Sequence, residues 1–218
     1  MNISRRELVQ IYRRLYRHFG DLEWWPGDSP LEISVSAILT QNTAWSNVEK
    51  GIRQLKQARA LSVGALARMS HRRLARLIKS SGYFNVKARR LKNFIAFVQN
   101  RYSGSFKTMF RQKSVRLRAE LLSVSGIGPE TADSIVLYAA KKPIFVIDAY
   151  TKRIFSRHGV LPFEKSYDEF QTLFTKFLPA NVPLYNHYHA MLVNVGNEFC
   201  HSKPHCDGCP LSGWRGVP

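Results

Sequence analysis

The sequence predicts an all-α protein. Apolar residues recur at intervals of three and four along almost the whole chain, which is the spacing of one face of an α-helix. No stretch alternates apolar and polar residues as a half-buried strand does, and glycine and proline fall mostly at the ends of the periodic segments. With 218 residues, of which 44% are hydrophobic and 22% charged, the chain can bury a core without disulfides or a structural metal.

The predicted helices begin with a capping box. Ser4 and Glu7 can satisfy free amides at a helix start, and the apolar face that follows ends at Gly20. Ser70 and Gly82 bound a later helix in the same way. Apolar spacing predicts the remaining helices from Leu31 to Leu39, from Trp45 to Leu55, from Leu91 to Val98, from Val115 to Ser123, from Pro129 to Ala140, from Ala149 to Arg157, from Tyr167 to Phe177 and from Leu184 to Asn197.

The charge balance indicates a polyanionic partner. Lys and Arg number 33 and Asp and Glu number 15, which gives a net charge of +18. A surplus of this size makes the compact state repel itself, so a basic surface that only aids solubility is the weaker interpretation. Nucleic acid is the first expected partner and anionic lipid the second. Because the N-terminus has no secretory signal and no apolar run approaches the roughly 20 residues of a membrane span, we expect a cytoplasmic protein without membrane attachment, associated with nucleoid DNA.

A turn bracketed by glycines is the first motif with chemical content. Gly126-Ile127-Gly128 lies between two periodic segments, and Pro129 occupies the favourable first position of the second helix. Without Cβ atoms the two glycines let a phosphate approach the backbone, and the following helix offers free amides and the positive end of its dipole. An ordinary turn between helices also favours glycine. In so basic a chain, the pattern favours a helix-hairpin-helix in which Gly126 and Gly128 contact the DNA backbone.

Three further motifs accompany the hairpin. Residues 39–43 read Leu-Thr-Gln-Asn-Thr, residues 82–88 read Gly-Tyr-Phe-Asn-Val-Lys-Ala, and an apolar run after the hairpin ends at Asp148. In this order and spacing the chain resembles the endonuclease III branch of the helix-hairpin-helix DNA glycosylases. The resemblance implies a monomer with a six-helix barrel lobe over residues 24–132 and a second lobe of residues 1–23 and 133–218. It also implies that a damaged base, flipped out of double-stranded DNA, is held in the cleft between the lobes.

The resemblance assigns the chemistry to single residues. Asp148 corresponds to the catalytic aspartate, whose carboxylate would stabilise positive charge on the sugar and orient the attacking water. Aspartate also caps helices, and the two roles are compatible. Glu130 stands where bifunctional members carry the lysine that forms a Schiff base, and a carboxylate cannot do this. We therefore expect a monofunctional enzyme that hydrolyses the glycosidic bond, with Glu130 either beside the base or solvated in the first turn of its helix.

Three tryptophans would form the base pocket. Trp24 and Trp25 precede a proline, and Trp45 follows the Thr-Gln-Asn-Thr motif. Together with glutamate in place of lysine at position 130, this pattern resembles the 3-methyladenine glycosylases of the endonuclease III branch. An electron-rich sandwich suits a cationic ring such as 3-methyladenine or 7-methylguanine. Each tryptophan could also be an ordinary core residue.

Other functions fit parts of the pattern. A glycosylase for an oxidised pyrimidine or a mismatched thymine would keep Asp148 but need hydrogen bonds to a neutral base. A nonenzymatic helix-hairpin-helix protein would explain the hairpin and the charge alone. A redox or sensing protein built on a metal cluster would explain only the cysteines.

The resemblance also places DNA contacts before the hairpin. Gln41 matches a residue that enters the gap left by the extruded nucleotide. The turn Tyr83-Phe84-Asn85 would supply a wedge between base steps, and Lys87 would contact a phosphate. The alternatives are a packed core position for Phe84 and an exposed basic helix start around Lys87.

All three cysteines lie near the C-terminus, as Cys200, Cys206 and Cys209. An odd number in a cytosolic chain disfavours disulfides. The spacing resembles the [4Fe–4S] iron–sulfur cluster loop of the family, in which four thiolates are usual, but Arg215 stands about where the fourth is expected. Both a cluster with an incomplete cysteine set and a loop without a cluster stay open. His201, His205 or an exogenous ligand could complete a cluster, and Lys203 is the candidate for a polar tether that replaces it.

Overall fold

The computed structural model describes residues 3–22 and 24–217, and all regular elements in these ranges are helical. The all-α prediction is therefore confirmed. The helices are α1 (Arg5–Phe19), α2 (Pro30–Leu39), α3 (Trp45–Gln57), α4 (Val63–Arg68), α5 (His71–Leu77), α6 (Phe84–Tyr102), α7 (Phe106–Met109), α8 (Ser114–Leu122), α9 (Pro129–Ser134), α10 (Ala149–Arg157), α11 (Tyr167–Thr175) and α12 (Val182–Glu198). None of the helices that the structure describes is both long enough and apolar enough to span a membrane.

Local signals set most of the helix ends. The capping box expected at the first helix is formed, with the Ser4 and Glu7 side chains each bonded to the other's backbone amide. The Ser70 side chain accepts from the Arg73 amide at the start of α5. The apolar spacing did not predict α4 or α7, because helices of six and four residues are too short to show a repeating face.

The chain divides into two compact units. Unit 1 contains residues 1–24 and 143–218, and unit 2 contains residues 25–142. The sequence placed the second boundary ten residues earlier, after residue 132. The difference arises because α9 continues through a π-helical turn at Ile135–Ala139, all of whose residues are buried and which packs on α2.

Unit 2 is built around α2. Every residue from Leu31 to Leu39 is buried, as expected of a helix that is surrounded by others. Helices α3, α6 and α9 pack against it. Its buried serine hydroxyls do not lack partners, since Ser34 donates to the Pro30 carbonyl and Ser36 to the Ile33 carbonyl. The polar side chains of α2 are thereby accommodated inside the core.

Unit 1 has an aromatic core. The rings of Phe145 and Phe174 stack with centroids 3.8 Å apart, and Tyr188 of α12 meets both edge-on. Helices α10 and α12 approach closely at Gly196, where a Cβ atom would lie 2.3 Å from the ring of Tyr150. This close packing fixes the N-terminal end of α10 against α12.

Candidate functional site

The predicted hairpin is formed by α8, the turn of residues 123–128 and α9. Gly126 has a φ of +96°, and a Cβ atom there would lie 2.3 Å from Cγ of Arg90. Glycine is therefore required at this position by both the backbone and the packing. Gly128 is the N-cap residue of α9, and apart from the residues next to it in the chain, no atom of the described residues lies within 4 Å of the place where its Cβ would be. One side of the turn is thus open to a close approach.

The start of α9 has no side-chain cap among the described residues, and Pro129 occupies its first turn. The positive end of the helix dipole at this uncapped turn favours an anion. Glu130 is exposed in that turn, as expected for a solvated residue there.

Gln41 is bound to the hairpin. Its Nε2 donates to the Gly126 carbonyl at 3.2 Å and to Thr131 Oγ1 at 2.9 Å, while Arg90 donates to its Oε1. The side chain predicted to fill the DNA gap therefore stands next to the glycine turn, and it would have to exchange these bonds to enter a duplex.

Lys87 requires a correction. Its side chain is 1% exposed, and Nζ donates to the carbonyls of Leu39, at 2.8 Å, and of Ser81. Burial and the nearby positive charge of Arg90 lower the pKa of Lys87 to about 8. An ammonium enclosed in this way is not available to a DNA phosphate, and its role is internal.

Two of the three residues of the predicted wedge, Tyr83 and Asn85, are exposed to solvent. Tyr83 is 73% exposed and adopts a left-handed φ of +43° immediately before α6. Asn85 is exposed, and its carbonyl lies 2.9 Å from Nε2 of His71. Phe84 is half-buried. An aromatic ring as exposed as that of Tyr83 is free to contact a partner.

Two of the predicted pocket tryptophans meet in unit 2. The Trp25 and Trp45 rings lie edge to face with centroids 5.2 Å apart, and Trp25 stacks on Tyr138 at 4.7 Å. Trp25 Nε1 donates to Ser36 Oγ at 2.8 Å. Sequence reasoning missed Tyr138, because it lies within a continuous apolar run that gives no sign of which residue faces a site.

Beside this aromatic cluster unit 2 has a cavity of about 320 Å³. Three carboxylates and two cations line it, an excess of negative charge in a strongly basic chain. Lys56 Nζ lies 2.8 Å from Asp28 and 2.7 Å from Glu32, and Glu49 accepts from the Trp45 indole at 3.0 Å. The lining residues are Pro26, Gly27, Asp28, Glu32, Ser36, Trp45, Glu49, Ile52, Arg53 and Lys56. The cavity can attract a positively charged ring, and Glu130 does not contribute to its lining.

Asp148 lies in unit 1 as the N-cap residue of α10. Its Oδ1 accepts from the Thr151 amide at 2.7 Å, and its Oδ2 lies 3.8 Å from Nε2 of His189. Burial lowers the pKa of His189, while the Asp148 carboxylate opposes this shift. The capping role is thus formed, and one carboxylate oxygen remains for chemistry. No local motif signals His189, which is 41 residues further along the chain.

Trp24 lies in unit 1 and contacts His189, whereas Trp25 and Trp45 lie in unit 2. Its ring meets that of His189 edge-on at 6.5 Å, and its carbonyl accepts from Asn186 at 3.4 Å. The sequence therefore predicted the three tryptophans as one set, whereas the structure divides them between the two units.

The cysteine loop does not fit a cluster held by four thiolates. Arg215, at the expected fourth position, donates through Nε and Nη2 to Glu7 Oε1, at 3.0 and 2.9 Å. Cys200 Sγ accepts from Arg157 at 3.1 Å. In the described residues no group of three or more His, Cys, Asp and Glu side chains is arranged to hold a metal ion. Arg215, which stands where the resemblance places the fourth ligand, is thus paired with Glu7.

Comparison with other sequences agrees with these features. The model of the protein family described as HhH-GPD superfamily base excision DNA repair protein matches residues 35–180 of this chain. A protein of Methanocaldococcus jannaschii, provisionally named a DNA repair glycosylase, is 43% identical over 205 residues, covering 94% of this chain and 93% of that protein. Endonuclease III of Thermotoga maritima is 26% identical over 207 residues, covering 94% and 87%.

Solved structures share the fold. The H. pylori 3-methyladenine DNA glycosylase bound to 1,N6-ethenoadenine matches with a TM-score of 0.75 and 25% identity, over 90% of this chain and 98% of that one. An endonuclease III–DNA complex matches with a TM-score of 0.84 and 21% identity, over 97% and 95%. Together with the family match, which covers more than half of the sequence, these similarities show that the chain belongs to the HhH-GPD superfamily of base excision DNA repair proteins.

Proposed function

We propose that the protein is a DNA glycosylase that releases alkylated purines such as 3-methyladenine from double-stranded DNA. The observation that carries the proposal is the cavity beside Trp25 and Trp45, in which carboxylates outnumber cations. Alkylation at a ring nitrogen makes a purine cationic, and such a ring is attracted both by aromatic faces and by carboxylates. The H. pylori relative that carries the same activity in its name supports this substrate class.

Asp148 is the proposed catalytic residue. Breaking the glycosidic bond of a cationic purine leaves positive charge on the sugar, and the leaving base needs no proton. A carboxylate held by the Thr151 amide can stabilise this charge and orient the attacking water through its second oxygen. The products are the free base and an abasic site.

The hairpin supplies the proposed DNA contact. The open side of Gly128, the uncapped start of α9 and the +18 net charge suit a phosphate backbone without sequence preference. Glu130 in the first turn of α9 has no amine with which to attack the sugar, so we propose hydrolysis without strand cleavage.

The deciding experiment identifies the bases released. Methylated, oxidised, undamaged and G·T-mismatched duplexes are incubated with the protein and with Asp148→Asn, and the free bases are measured by mass spectrometry. We expect alkylated purines from methylated DNA with the wild-type protein only. Release of an oxidised pyrimidine or of thymine, without alkylpurines, would overturn the substrate class and keep the glycosylase. No base release from any duplex would overturn the enzymatic function.

A further inference from the structure

We infer that His189 is a positioning residue for Asp148. It holds the plane of the Asp148 carboxylate and leaves the negative charge of that carboxylate unpaired. This inference rests on the proposed function, in which Asp148 stabilises charge on the sugar. His189 is buried on α12, and its Nε2 lies 3.8 Å from the carboxylate oxygen that the helix cap does not use. The two residues meet where α10 and α12 pack together.

One hydrogen bond does not define the carboxylate orientation. The bond from the Thr151 amide fixes Oδ1, but rotation about the terminal bond of an aspartate side chain is broadly distributed. The imidazole of His189 stands against Oδ2 and restricts this rotation. At 3.8 Å the contact is longer than a hydrogen bond, so it orients the carboxylate without consuming the lone pairs needed for water.

The charge of His189 matters as much as its shape. A protonated imidazole at this distance would form an ion pair with Asp148 and cancel the charge that stabilises the sugar cation. Burial keeps the pKa of His189 below its ordinary value, so the ring is neutral near pH 7. Protonation in acid would therefore inhibit base release.

Other titratable groups around α12 are engaged elsewhere. The Tyr188 hydroxyl donates to the Leu8 carbonyl of α1, and His187 lies 3.0 Å from Asp21. From α10, Asp148 is the charged group that acts on His189. The expected pH dependence therefore concerns protonation of the His189 ring opposite the Asp148 carboxylate.

Two features of the surroundings suit a reaction site. The Thr151 hydroxyl and the Asn186 side-chain oxygen are buried and have no hydrogen-bond partner among the described residues. Buried polar groups are normally satisfied. A helix cap alone does not require such groups, whereas a site that receives a sugar and a water does.

The test compares His189→Gln and His189→Phe by single-turnover excision of an alkylated base across acid and neutral pH. We expect wild-type excision to fall as pH drops through the pKa of His189. His189→Gln, which keeps a polar side chain without titration, should lose this acid limb and stay within about tenfold of wild type at neutral pH. His189→Phe should lose roughly tenfold to a hundredfold at every pH, as when an orienting residue is removed.

For each variant we would also measure the affinity for abasic-site DNA and the melting temperature. These two quantities distinguish a loss of carboxylate orientation from a loss of folding, and both should change little in His189→Gln. Unchanged pH profiles and rates in both variants would overturn the inference, provided that Asp148→Asn is inactive. Wild-type activity in Asp148→Asn would instead overturn the proposed role of Asp148. The two failures are thus distinguishable.

A different observation carries a second inference, about the C-terminal loop. We propose that arginines fasten this loop in place of an iron–sulfur cluster. Arg215 binds Glu7 of α1, and its neighbour Trp214 stacks on His158 at 4.5 Å. Arg157 donates to the carbonyls of His201 and Ser202.

Just before these residues, Arg153 of α10 donates to the Cys200 carbonyl at 2.6 Å and, at the end of α12, to the Gly196 carbonyl at 3.3 Å. The backbone around the first cysteine is therefore held by guanidinium groups from α10, and the end of the loop is held by Arg215 on α1. A bidentate or shared guanidinium contact of this kind gives geometric definition without metal.

The test uses the full chain, prepared without oxygen and supplied with iron and sulfide. We expect no cluster absorption band, no stoichiometric iron and no effect of a chelator on the melting temperature. Glu7→Gln should lower the melting temperature more than Glu169→Gln, a matched control with the same capping box but only an exposed lysine as its ionic partner. One iron–sulfur cluster per chain, or equal effects of the two variants, would overturn the proposal.

Discussion

Replacing Lys87 by methionine tests how the candidate DNA contacts are positioned. The Lys87 ammonium binds the Leu39 carbonyl, two residues before Gln41, and the Ser81 carbonyl, two residues before Tyr83. A single buried group therefore joins the two turns that carry the predicted gap-filling and wedge residues. Methionine keeps most of the volume and removes both hydrogen bonds, so no large cavity contributes to the effect.

The expected loss of stability follows from two opposing contributions. Two hydrogen bonds from a charged group contribute about 1.5–3 kcal/mol each. The lowered pKa of Lys87, about 8 against its ordinary value of 10.5, indicates that the buried charge costs roughly 3 kcal/mol. The net loss in Lys87→Met should therefore be about 2 kcal/mol near pH 7.

The sign of the pH dependence is set by the lowered pKa. Between pH 8 and 10.5 the unfolded chain binds more protons at this lysine than the folded chain does, so folding becomes more favourable as pH rises through this window. The stability difference between wild type and Lys87→Met should widen across the same window. Urea unfolding at a series of pH values measures it.

Lys92→Met is the matched control. Lys92 lies on the same helix and donates to three carbonyls at the end of α4, those of Leu66, Ala67 and Met69. Lys92→Met should also reduce the stability of the fold, but the Lys92 side chain contacts neither the turn of Gln41 nor the turn of Tyr83. Only Lys87→Met should reduce the preference for abasic-site DNA over undamaged DNA. An equal change in this preference for both variants would refute the positioning role of Lys87.

Three further substitutions test the proposed site. Asp148→Asn should abolish base release but keep affinity for abasic-site DNA within about 1 kcal/mol, because the carboxylate acts on charge that develops in the transition state; wild-type turnover by mass spectrometry would contradict this. Trp45→Ala should lower excision of alkylated bases by about ten- to a hundredfold through a lost stacking contact of roughly 1–3 kcal/mol, and Trp45→Phe should restore most of it; a large drop in melting temperature with unchanged lesion preference would instead make Trp45 a core residue. Gly126→Ala should weaken binding to lesion and undamaged DNA alike, because the φ of +96° and the adjacent Arg90 leave no room for a methyl group. Fluorescence titration at several salt concentrations would measure the two affinities. Unaltered affinity would exclude the hairpin from the DNA contact.

The sequence alone predicts the longer helices, the glycine turn and the position of Asp148 at a helix start. These features depend on residues close together in the chain. Apolar spacing defines a helix face, a capping box defines its first turn, and a glycine with positive φ defines the turn between two helices. The first turn of α10, with Asp148 bonded to the Thr151 amide, is of the same local kind.

The tertiary structure decided which side chains meet. The sequence predicts a phosphate-binding cation at Lys87, yet helix packing buries it against carbonyls six and 48 residues away along the chain. His189 reaches Asp148 only because α12 packs on α10, and Tyr138 reaches Trp25 only because the end of the α9 segment packs on α2. Arg215 donates to Glu7, which lies 208 residues earlier in the sequence. Such contacts depend on the packing of distant helices, and periodicity within one helix identifies its buried face without identifying the residues that cover it.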